Sequence, residues 1–122
     1  MEQIIKNFIE SQIPELKGRL YPMFTCDLTQ TTVAYTITPV SGGHLKQSQI
    51  ELKIIGDYDE CKICEEKLKK VLDMEEDSPF IYFGGLAFHS IVSGGGCLFN
   101  DAVQKTENTL YFIIEWRKNN AE

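Results

Sequence analysis

The sequence predicts a single α+β domain over residues 1–122: an antiparallel or mixed β-sheet with two α-helices packed on one face. Three observations lead there. Two stretches carry apolar residues at helical spacing, and several others alternate as strands do. The two kinds are interleaved, with no repeat, linker or low-complexity segment between them. At 122 residues the chain has the length of one domain and can bury a core without staples. Its apolar fraction of 43% and charged fraction of 25% are ordinary for a globular protein.

The elements follow in order. From Met1 to Gln12, Ile4, Ile5, Phe8 and Ile9, with Ile13 beyond, make one stripe, and Glu2, Lys6, Asn7 and Glu10 fill the other side of an amphipathic helix. Pro14 ends it or begins a turn to Leu16, and Lys17-Gly18 is a stop. Arg19-Leu20-Tyr21-Pro22 is a short extended entry, because the residue before proline avoids helical angles. Thr31 to Pro39 alternates and is rich in β-branched residues, with Val33, Tyr35 and Ile37 on one side. Ser41-Gly42-Gly43-His44 is a turn. Gln47 to Gly56 is the returning strand of a hairpin, with Ile50, Leu52 and Ile54 on one face.

Asp57 to Asp73 is the second helix. Asp57 with Glu60 fits a capping box, and Cys61, Cys64, Leu68, Val71 and Leu72 form its stripe, with Ile63 off it. Met74 to Pro79 is an acidic loop. Phe80 to Phe83 is apolar and short, and Gly84-Gly85 breaks it. Leu86 to Val92 reads as a strand, Gly94 to Gly96 as a flexible joint, and Cys97 to Gln104 as either strand or loop. Thr106-Glu107-Asn108 reads as a turn. Thr109 to Arg117 is the strongest strand, with Leu110, Phe112, Ile114 and Trp116 on one face and Tyr111 and Ile113 on the other. A strand apolar on both faces sits centrally, or offers its second face to another subunit.

Charge and composition exclude several roles. Twelve basic against 18 acidic residues give a net charge of −6, which opposes binding to nucleic acid or an anionic membrane, and no basic cluster offsets it. No segment approaches the ~20 apolar residues of a membrane span. The first dozen residues place acids early and lack a small-residue cleavage site, so the expectation is a protein made in the cytosol. The cysteines at 26, 61, 64 and 97 could pair in an oxidising compartment and are free thiols in a reducing one.

Candidate chemistry is sparse. Cys61-x-x-Cys64 follows a strand near a helix start, where a thiol–disulfide redox pair belongs. Against that, the cap at Asp57 sets Cys61 a turn inside the helix, where the dipole has faded. Asp57, Asp59, Glu60, Glu65 and Glu66 disfavour a thiolate. Both sulfurs lie on the apolar stripe, so core packing is the favoured reading. A zinc site built with Cys26, Cys97, His44 or His89 lacks the second close pair that such sites bring. Ser93-Gly94-Gly95-Gly96 is followed by Cys97-Leu98-Phe99, not the lysine and hydroxyl of a phosphate loop, so a hinge or bulge is favoured. His44 and His89 stand alone, and Asp73 with Glu75, Glu76 and Asp77 lacks calcium-loop spacing. The residues ask for no cofactor and no metal.

The apolar residues of Phe80 to Phe83, with Tyr111 and Ile113, exceed what one layer of two helices covers, which favours an oligomer. The order of elements then matters: helix, Gly18-Arg19-Leu20-Tyr21-Pro22, the strand Thr32 to Pro39 with Val40-Ser41-Gly42, a polar tip, then the strand, turn and helix of Ile50 to Leu72, a long variable loop, and the strand Leu110 to Trp116. This resembles the tail-terminator or tail-completion proteins of long-tailed bacteriophages and related prophage minor tail proteins. The likeness covers most of the chain through loose patterns of residue type, and Phe80 to Lys105 departs from it.

The resemblance implies a non-enzymatic virion protein at the head-proximal end of the tail, made in the bacterial host cytoplasm. It implies a homo-oligomeric ring, commonly hexameric, that caps the tail tube and joins it to the head-completion or connector protein. DNA would pass the lumen without specific binding, since like charges repel. A ring needs two different complementary patches on each subunit. The candidates are the hairpin tip, Gly42, Gly43, His44 and Lys46, and the second face of the last strand, Tyr111 and Ile113. The alternatives are a head-completion or minor capsid protein, or a thiol–disulfide oxidoreductase using Cys61 and Cys64.

Overall fold

The computed structural model describes residues 2–22, 31–42, 45–101 and 104–118. Helix α1 is Glu2–Gln12 and helix α2 is Tyr58–Leu72, with a short 3-10 turn at Pro14–Leu16. The strands are β1 (Leu20–Pro22), β2 (Thr32–Ser41), β3 (Lys46–Gly56), β4 (Ile81–Phe83), β5 (Leu86–Asn100) and β6 (Lys105–Lys118). They form one mixed sheet in the order β1-β2-β3-β6-β5-β4, in which β1 and β2 are the parallel pair.

Apolar period decides what each strand buries. On β3, Ile50, Leu52 and Ile54 are buried, and on β6 Leu110, Phe112 and Ile114 are buried opposite them. Ile5, Phe8 and Ile9 of α1 and Cys61, Cys64, Leu68 and Leu72 of α2 enter the same cluster. Phe8 is a hub, meeting Phe88 edge-on at 5.0 Å between ring centroids and Phe83 at 5.3 Å. α1 closes against β4 and β5, and α2 against β3 and β6. β6 lies centrally, between β3 and β5.

Three local expectations fail. Thr106-Glu107-Asn108 is not a turn: these residues begin β6 and pair with both neighbours. Their side chains are polar, yet Thr106 and Asn108 are buried, Asn108 because its amide donates to Glu65 at 2.6 Å. Gly94 to Gly96 is not a joint, because β5 runs through it for 15 residues and each of the three glycines is paired to β6. The expectation of a bulge there holds, since the register shifts between Val92 and Gly94. The supposed long loop before the last strand therefore holds β4 and β5. The capping box also does not form. Asp57 has cap dihedrals but makes no side-chain cap bond, and its carboxylate lies 3.4 Å from Lys105 Nζ. Glu60 instead accepts from Thr31 Oγ1 at 2.6 Å.

Gly84 and Gly85 have φ of 60° and 80°, as a two-residue turn with left-handed angles at both centres requires. They join β4 to β5 with Phe83 opposite Leu86. No described helix is long and apolar enough to cross a membrane.

Candidate functional site

The proposed thiol pair is held by α2 against the sheet. Cys61 is wholly buried, its Sγ 3.7 Å from the Ile54 carbonyl and 3.6 Å from the Thr106 carbonyl, so the thiol faces two acceptors. Cys64 is buried between α2 and the 3-10 turn region, and both are free. Burial pushes the Cys61 thiol up to about 11, helped by the charges of Cys97, Glu60, Asp57 and Glu65. Burial likewise raises Cys64 to about 12. Both thiols stay protonated at neutral pH, opposite to what a redox nucleophile needs. Among the described residues, no three of His, Cys, Asp and Glu gather as a metal would require; Cys26 and His44 lie outside them.

His89 is packed. It is 4% exposed, and its Nε2 lies 2.7 Å from the Glu75 carbonyl, which can only accept. Phe80 packs against it, the rings tilted 32° apart with centroids at 5.8 Å. Glu75, Glu76 and Asp77 are exposed.

The candidate contact residues lie in two places. Gly43 and His44 lie outside the described residues, and Gly42 is exposed beyond β2. Lys46 is exposed at the start of β3, its Nζ 5.2 Å from the Trp116 ring opposite it. By strand alternation Lys46 shares its face with Ser48 and Ile50, at the uncovered end of the helix-bearing side, where Trp116 Nε1 donates to Ser48. Tyr111 and Ile113 point to the other face. There Tyr111 donates to Glu51 at 2.9 Å, and Ile113 sits between Gln49 and Ile91. Both are half-buried.

The residues that sequence reasoning passed over lie at the sheet's edges. β4 pairs with Leu86 to Phe88, and the chain leaving α2 covers the next stretch of β5. There the Met74 N–H donates to the Ser90 carbonyl at 2.9 Å, and the Val92 N–H donates to Asp73 Oδ1 at 3.1 Å. From Ser93 to Phe99 no described element adds to β5 on that side. Leu98 and Phe99 there are 59% and 55% exposed. The signal was present: Leu86 to Asn100 contains no Asp, Glu, Lys or Arg. The opposite edge differs. β1 covers Val33 to Tyr35 of β2, and beyond it Pro39 removes an N–H and the register shifts before Ser41.

No family model and no curated relative matches the chain. Among solved structures the fold is similar to a chain in the virion of a native gene transfer agent (GTA) particle. The TM-score is 0.66, with 11% identity, over 94% of this chain and 96% of that one. At that identity the likeness is one of fold.

Proposed function

We propose that the chain is a structural protein of a virion, and within it a tail-terminator-like subunit. In this reading it is not an enzyme. It forms a homo-oligomeric ring, hexameric in the family it resembles, at the head-proximal end of the tail. The ring caps the tail tube, meets the head-completion or connector protein, and lets DNA pass through an acidic lumen. The observation that carries the reading is the fold likeness to a virion chain along nearly the full length of both. The raised thiols of Cys61 and Cys64 weigh against the redox alternative.

In this reading the ring's two patches lie on different faces of the sheet. The helices cover one face of the sheet, and Gln49, Glu51, Tyr111 and Ile113 on the other are available to a neighbour. The Lys46–Trp116 end beside Gly42 is the second patch. A heterologous contact between two such unlike surfaces closes by rotation.

Negative-stain microscopy of the purified chain, alone and mixed with tail tubes, tests this. Rings seated on tube ends are expected. Rings that bind only the connector would move the protein to head completion. A chain that stays monomeric and leaves tube ends bare would end the reading.

A further inference from the structure

Exposed sheet edges are normally blunted by charge, proline, a bulge or a covering segment, because bare N–H and C=O groups pair with any strand that arrives. The covered half of β5 is treated so, and β2 has β1, Pro39 and a register shift along its edge. Ser93 to Phe99 is not treated so. In a strand the backbone groups point alternately to the two sides. Ser90 and Val92 point away from β6, as their bonds to Met74 and Asp73 show. The one-residue bulge at Ser93 shifts that alternation, so the outward groups beyond it belong to Gly95, Cys97 and Phe99.

The side chains along this edge are complementary to themselves. Gly95, Cys97 and Phe99 oppose Leu110, Asn108 and Thr106, which places them on the helix-bearing face. Gly94, Gly96 and Leu98 oppose Tyr111, Thr109 and Glu107, on the other face. Two copies paired antiparallel about Cys97 set each Phe99 opposite the other copy's Gly95, and each Leu98 opposite its Gly96. Every large exposed side chain then crosses a glycine that has no side chain to obstruct it. The space exists, since a groove of about 400 Å³ lies over Gly94 to Gly96, walled by Lys62, Glu65 and Lys69 of α2. The methylene stems of those lysines can cover an aromatic ring while their charged ends stay in water.

We propose that this edge is a self-association site, through which a second copy of the chain adds its own β5 antiparallel and makes one continuous sheet. The chain is acidic overall, and this stretch, with no charged side chain of its own, sets no like charges directly opposite one another when two copies of β5 meet. The contact is two-fold and cannot close a ring by itself. It is therefore independent of the ring contacts proposed above.

The test is the mass of the full chain by light scattering under reducing conditions, with two variants. Gly96→Lys adds a side chain where nothing lies within 4 Å of the new Cβ, so the fold is spared while the facing Leu98 meets a charge. Cys97→Pro removes an outward N–H and no bond to β6. The expected result is a wild-type dimer, or an even-numbered assembly, that falls to half its mass in both variants with the circular dichroism spectrum kept. As a check that needs no variant of the edge, mild oxidation of a Cys26→Ser chain is expected to join Cys97 to Cys97, since hydrogen-bonded antiparallel pairs place Cα atoms about 5.5 Å apart, within disulfide reach. A wild-type chain that is monomeric and forms no such cross-link overturns the proposal. So does an assembly whose mass neither variant changes, and that second outcome leaves the ring reading standing.

Discussion

The two halves of β5 belong to one strand and one partner, yet they are built in opposite ways. Leu86 to Ser90 are buried on both sides, by the core on one and by β4 and the loop from Asp73 to Phe80 on the other. Ser93 to Phe99 are exposed at every position, small or apolar, and bordered on one side by nothing described. The bulge between Val92 and Gly94 is the boundary. The upper half carries stability and the lower half carries surface, so substitutions should divide there.

The largest difference comes from the aromatic residue of each half. Phe88 is fully buried and edge-on to Phe8. Phe88→Ala should cost about 3–5 kcal/mol, as large-to-small changes in a packed core do. Phe99→Ala, measured at a concentration where the chain is monomeric, should stay within about 0.5 kcal/mol. Urea unfolding of both variants checks this. Comparable losses would mean that the lower half is packed after all.

Next in size is Gly95. A Cβ built there sits 2.7 Å from the Thr109 carbonyl oxygen, a backbone atom that cannot swing aside. Gly95→Ala should destabilise by about 1–3 kcal/mol, the usual cost of overpacking. A thermal midpoint equal to wild type would show that β5 and β6 can part without cost at this point.

The thiols sharpen the contrast between the open edge and the closed interior beside it. Cys97 is exposed, while Cys61 and Cys64 are buried with pKa values raised to about 11 and 12. In the native chain at pH 8 a thiol reagent should modify Cys97 quickly and the other two only on unfolding. The pH dependence has a definite sign. Above the ordinary thiol value of 9.0, the unfolded chain releases protons that the native chain keeps. Stability should therefore be full below about pH 9 and fall as pH rises toward 11 and 12. A Cys61→Ala/Cys64→Ala chain should lose stability less steeply over that range, which denaturant titration at several pH values would reveal.

How much of this was legible from residues alone follows from what each pattern reports. Hydrophobic period marked both helices and the β2–β3 hairpin, because alternation and 3.6-residue spacing are imposed by burial itself. It also set Cys61 and Cys64 on the buried stripe and Ile63 off it, where Ile63 is 55% exposed. It marked Leu86 to Val92 but failed over the second half of β5, since glycines carry no side chain to alternate and a bulge inverts the pattern midway. It failed at Thr106 to Asn108, whose polar residues are buried by partners on distant elements, Glu65 among them. The candidate contact residues were read as two separate patches, and the strands set Lys46 and Tyr111 on opposite faces. The edge was invisible for a different reason. Which strand is an edge depends on strand order, and the uncharged run of Leu86 to Asn100 gains meaning only once β5 is seen to have no neighbour among the described residues beyond Val92.

The smallest expected effect gives the sharpest view of that edge. Gly96 follows Gly95 in the same exposed stretch, but a Cβ there meets no atom within 4 Å and its backbone is not left-handed. Gly96→Ala should therefore stabilise the monomeric chain, by about 0.4–1 kcal/mol, chiefly because the unfolded chain loses freedom. Two neighbouring glycines would then respond with opposite signs, one pressed against β6 and one facing open space. Urea midpoints for Gly95→Ala and Gly96→Ala, taken side by side in dilute solution, measure both. If Gly96→Ala destabilises as much as Gly95→Ala does, something covers the outer face of β5 even in the single chain, and the edge is not bare.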